Sequence, residues 1–167
     1  MPKTIKMRLS VASINNAIRE LNDYAKWIEI KTKELIERVA LVGAKEASMW
    51  FSSAIYDGVN DVHVTVGAEG DKWVIKANGQ AVCFLEYGAG RYFNPSGHIH
   101  PKDKIVSGVV GIGEYGQGKG KRQGWVFYGD DGATFTRGNP PTAAMWRASE
   151  KMRNDLAQIA RDVFGSK

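Results

Sequence analysis

The sequence predicts an α+β fold, in which a long helix in the N-terminal half and a C-terminal helix pack on a small, mainly antiparallel β-sheet carrying a long glycine-rich loop. Three observations predict it. From about Tyr24 to Ala54 no proline interrupts a helical apolar pattern, and Gly43 is the only poor helix former. Val62, Val64 and Val66 alternate with His63 and Thr65, as a half-buried strand requires. Met145, Ala148, Met152, Leu156, Ile159 and Val163 follow 3-and-4 spacing behind Pro140-Pro141.

Composition sets the frame for these elements. A chain of 167 residues suits one domain spanning 1–167, and its 43% hydrophobic and 25% charged residues exclude wholesale disorder. That size buries a core without disulfides or metals. One cysteine, Cys83, excludes an internal disulfide and any zinc site needing two thiolates. No apolar run approaches the ~20 residues of a membrane span. The alternating charges of residues 1–8 lack the apolar centre of a secretion signal. The net charge of +5 permits contact with nucleic acid without demanding it.

In chain order, Ile5, Met7 and Leu9 alternate with Lys6 and Arg8 and read as a short strand. Ser10 is placed to cap a short helix over 11–21, with a weak break at Asn22-Asp23. The long helix over 24–54 has Ile28, Leu35, Val39 and Val42 on one stripe and Ile36, Ala40, Ala47 and Trp50 on the next. Glu34 and Arg38 form a favourable i,i+4 pair. At about 45 Å this helix exceeds what so small a domain buries, so part of it is expected to lean on another copy of the chain. The valine strand continues through Glu69-Gly70-Asp71 into Lys72 to Lys76, a β-hairpin. Asn78-Gly79 turns the chain into the apolar run 81–87, which contains one acid, Glu86.

Residues 88–124 hold ten glycines, too many for periodic packing, and predict a mobile loop over about 94–124 with one strand-like piece at 105–110. Residues 125–128 and 133–136 flank Asp130-Asp131-Gly132 as a second hairpin. Pro140-Pro141-Thr142 opens the last helix and Gly165 ends it.

Each motif with chemical meaning has a plainer reading beside it. Gly111 to Gly116 spells G-x-G-x-x-G, but Gln117 to Lys121 cannot start the helix that would face a pyrophosphate. Gly113 to Lys119 resembles a P-loop with Gly120 where the magnesium-binding hydroxyl belongs. His98, His100 and Asp103 could share a metal, although histidines in an exposed loop are commoner than ligands. Cys83 sits in an apolar run where a buried, inert thiol is the default. No cofactor and no catalytic frame are expected. Lys119, Lys121 and Arg122, interleaved with glycine, suit unspecific phosphate contact, and a nucleic-acid-binding module is the alternative function they support.

Glu86 poses the sharper question, because an unpaired carboxylate in an apolar environment is costly. It should meet an arginine, a backbone donor or a partner subunit, with Arg91 and Arg147 as candidate arginines, and an alternating strand with Glu86 facing water is the plain alternative.

Phe84-Leu85-Glu86-Tyr87-Gly88-Ala89-Gly90, together with Pro140 to Ala148, resembles the tail-completion or head–tail joining proteins of long-tailed phages. This is the family of the lambdoid gene-ten product, also described as minor tail or virion morphogenesis proteins. The likeness is one of layout over roughly 20–165. It departs from the family where Ala89 replaces a common threonine and where the loop over 94–124 is long and basic. It implies a non-enzymatic virion protein, assembled in the bacterial cytoplasm, forming a ring, often sixfold, between the tail tube and the head connector with a channel for DNA. It places Glu86, Tyr87, Gly88, Arg91 and Arg147 among interface or fold-motif residues.

Overall fold

The computed structural model describes Ile5 and residues 8–56, 58–90, 122–129 and 132–165. Its element order is α1 (Val11–Ser52), β1 (His63–Glu69), β2 (Lys72–Asn78), α2 (Val82–Tyr87), β3 (Trp125–Gly129), β4 (Gly132–Thr136) and α3 (Ala144–Gly165). The fold is α+β, with a long N-terminal-half helix and a C-terminal helix as the pattern predicts.

Several details differ. No strand forms at Ile5, Arg8 or Leu9. The expected short helix and long helix are one helix of 42 residues, about 63 Å long. Asn22 and Asp23 cost a helix only tenths of a kcal/mol each, too little to break one that is continuous on both sides. Ser10 does cap it, its Oγ accepting from Ser13 N at 3.3 Å. Lys31 and Arg38 both bridge Glu34, at 2.8 and 2.5 Å. The sheet is two separate antiparallel hairpins, β1–β2 and β3–β4. Gly70, at φ 65, takes the first position of the two-residue turn between Glu69 and Lys72. Residues 81–87, offered as a strand in the plain reading of Glu86, contain a helix instead.

The chain divides into two compact units. The first joins residues 1–39 to 154–167. Here Trp27 stacks on Tyr24 with centroids 5.6 Å apart and meets Phe164 of α3 edge-on at 5.8 Å. Ala17 and Val163 are buried.

The second unit, 40–153, holds the main core. Phe51, Ala81, Leu85 and Ala144 form its centre, with Trp50, Tyr56, Val62, Val64 and Met145 packed around them. Gly43 lets α1, α3 and β2 meet: a Cβ there would overlap Met152 Sδ and stand 2.8 Å from Met152 Cγ and Ile75 Cδ1. The one poor helix former in α1 is therefore a packing position. Of the predicted loop over 94–124, only 122–124 fall among the described residues.

Candidate functional site

The site grows from two helix ends that complete each other. Helix α2 begins where Asp61, twenty residues upstream, takes the N–H groups of Ala81 at 2.9 Å and Gln80 at 2.7 Å on its carboxylate. Those two N–H groups hold the Asp61 carboxyl below its ordinary value. The helix ends at Gly88, φ 75, which redirects the chain.

A helix leaves its last carbonyls without internal partners. Here the segment 139–143 supplies them. Asn139 Nδ2 donates to Phe84 O at 2.7 Å, Thr142 N to Leu85 O at 2.8 Å, and Ala143 N to Glu86 O at 3.1 Å. Ala89 and Asn139 exchange both backbone hydrogen bonds at 3.0 Å. Gly138, φ 83, permits that approach, since a Cβ would stand 2.6 Å from the Ala89 carbonyl carbon. Pro140 and Pro141 suit such a segment, because proline has no N–H to satisfy and resists continuing into helix.

The reciprocal half is Glu86. Helix α3 starts at Ala144, three residues after Pro141, so the prolines precede the helix instead of occupying its first turn. The residue before it, Ala143, sits at φ 52 and has no side-chain acceptor to cap the first turn. The Glu86 carboxylate does that work from another element, accepting from Met145 N at 2.9 Å and Trp146 N at 3.2 Å. Glu86 is only 6% exposed. Its negative charge meets the positive end of the helix dipole, so burial is offset by two charge-assisted hydrogen bonds.

Arg147, a candidate partner for Glu86, is turned elsewhere. Its guanidinium lies over the Trp50 ring at 4.1 Å and its Nε donates to Thr142 O at 3.0 Å. Trp50 in turn donates to Glu46 at 2.8 Å. Tyr87 is half-buried beside the knot, and burial, then Glu86 and Cys83, push its hydroxyl up.

Cys83 corrects its expectation: it is exposed, because on a helix the apolar run no longer buries every second residue. Arg91, Lys119, Lys121, His98, His100 and Asp103 lie outside the described residues, as do both glycine motifs. Arg122 is exposed just before β3. Among the described residues, no three His, Cys, Asp or Glu side chains gather as metal ligands.

Sequence reasoning missed Asp61, Asn139 and Trp50. Asn139-Pro140 carries a turn signal that could have marked Asn139. Nothing local marks Asp61, whose partners are on the far side of a hairpin.

The arrangement performs a mechanical task. The Glu86 carboxylate is engaged by helix N–H groups, and the knot fixes the entry of α3 against α2. A scan of protein-family models, a search of curated proteins and a search of solved structures each find no match to the chain.

Proposed function

We propose that this chain is a structural subunit of the neck of a long-tailed phage or prophage, a tail-completion protein without catalytic activity. In this reading copies form a ring, six being the expected number. The ring joins the tail tube to the head connector around a channel through which DNA passes, and the protein resides in the virion.

One observation carries the reading. The two segments on which the family resemblance rests, Phe84 to Gly90 and Pro140 to Ala148, are joined by the Glu86 and Asn139 hydrogen bonds into a single knot. The knot gives a physical reason for the acid-aromatic-glycine segment and the proline-led helix to occur together. The exposed apolar side chains along α1 also suit a protein that works in contact with other subunits.

The test is genetic. Deleting the coding sequence from its phage or prophage is expected to yield full heads and complete tails that stay unjoined in electron micrographs, with joining restored by the purified protein. Normal virions from the deletion would overturn the proposal.

A further inference from the structure

We infer that the N-terminal turns of α1 pair, as a coiled coil, with the same segment of a second copy of this chain. The inference goes beyond the assembly reading and does not rest on it, because pairing of identical segments is a twofold contact that joins two copies without closing a ring.

Five large apolar residues and one alanine carry it. Val11, Ile14, Ile18, Leu21, Ala25 and Ile28 are spaced 3, 4, 3, 4 and 3, the a and d positions of successive heptads. Their pattern stands out only once residues 11–52 are known to be one helix. Val11 is 76% exposed, Ile14 37%, Ile18 50%, Leu21 55% and Ile28 39%. The covered side of the helix begins at one flank of the seam: Ala17, at a g position, is buried, and Trp27, which meets Phe164, lies about 100° beyond Ile28.

The choice of occupant follows from pattern, area and charge. A strict a/d seam fits another helix, since a globular core would call for a broader stripe. The seam itself leaves on the order of 450 Å² of surface per copy. Two copies together then hide up to about 900 Å², the size of a weak contact that forms at high protein concentration. The flanking e and g positions Asn15, Ala17, Asn22 and Tyr24 are uncharged, so identical copies meet no like charges until Glu29 at the seam's end. A lipid surface is a poorer fit, because the polar side of residues 11–30 carries Arg19 and Lys26 against Glu20, Asp23 and Glu29 and is not basic.

Sedimentation equilibrium of the full chain over a wide concentration range tests the pairing. The wild type is expected to self-associate. The double variant Ile18→Ala with Leu21→Ala should associate at least about 100-fold more weakly. Both changes are at exposed positions and favour helix, so at concentrations where both proteins are dissociated their circular dichroism is expected to match. Ile30→Lys, on the opposite side of α1 and also exposed, should associate as the wild type does. A wild type that stays monomeric at the highest concentration, or a double variant that associates as strongly as the wild type, overturns the inference. If the double variant fails to fold, a spin label on Leu21→Cys in a Cys83→Ser background decides the matter, because intermolecular distances in the range of a paired helix are then required. Head–tail joining is read separately in the deletion phage. Pairing in solution with normal deletion virions would remove the neck reading alone, and unjoined heads with a monomeric protein would remove the pairing alone.

Discussion

At the scale of single residues, Glu86 has the largest expected effect. Glu86→Gln keeps the shape and one acceptor but removes the charge at the helix N-terminus, and should cost about 1–2 kcal/mol in urea unfolding. Glu86→Ala leaves the partly buried Met145 and Trp146 N–H groups without their acceptor and should cost about 2–3 kcal/mol. Equal midpoints for wild type and Glu86→Ala would show that the knot does not hold α3. Asp61 makes a pH-dependent contribution. Its carboxyl is depressed by the Ala81 and Gln80 N–H groups, so its stabilisation is present above the ordinary carboxylate value and is lost as pH falls through the lower folded value. Acid unfolding of Asp61→Asn should therefore differ from that of the wild type mainly above about pH 4, where the variant lacks the charged acceptor, and converge with it in stronger acid. Glu86 was legible in the sequence as an acid among apolar neighbours that needs an arginine, a backbone donor or a second subunit, but which of these serves it was not. The backbone N–H groups of Met145 and Trp146 do, while Arg147 lies over Trp50. Asp61 was illegible, and Asn139 legible only as a turn residue, because their partners are 20 and 55 residues away, respectively, a distance over which residue spacing carries no information.

At the scale of elements, periodicity found α1, α3 and both hairpins, the segments long enough for a 3.6- or 2-residue repeat to declare itself. It failed at α2, where six residues complete fewer than two turns and an apolar run reads equally as strand or helix. It also failed at the junction of residues 22–23, where two weak breakers were given more influence than their small energies allow. Gly43 separates local propensity from packing. Gly43→Ala should raise the intrinsic helicity of α1 by about 1 kcal/mol. It should nevertheless lower stability by a similar amount, because the new methyl overlaps Met152 and Ile75. A higher thermal midpoint for Gly43→Ala would mean that those two flexible side chains give way without cost. Arg147 and Trp50 link α3 to α1 within the second unit, and a double-mutant cycle with Arg147→Ala and Trp50→Leu should show a coupling of about 0.5–1 kcal/mol.

At the scale of the whole molecule, no helix among the described residues is long and apolar enough to cross a membrane. The basic charge of +5 belongs to the chain as a whole and was read directly. What composition could not reveal was the division of surface roles, with apolar side chains exposed along α1 and the core gathered around α2 and the start of α3. The stems on either side of residues 91–121 are fixed firmly. Ala89 is bonded to Asn139, and a Cβ on Gly90 would stand 2.9 Å from Arg137 O and from Trp125 Cη2. Replacing 91–121 by a Gly/Ser linker of about ten residues should leave the unfolding midpoint within a few degrees of the wild type, because loop length enters stability only logarithmically. A collapse of the midpoint would show that the replaced segment is part of the core. Because Gly90 and Trp125 are neighbours, the described chain closes on itself whatever joins them. Doubling the length of a flexible join costs only about 0.6 kcal/mol in closure entropy, so the clamp can keep its geometry behind joins of different length.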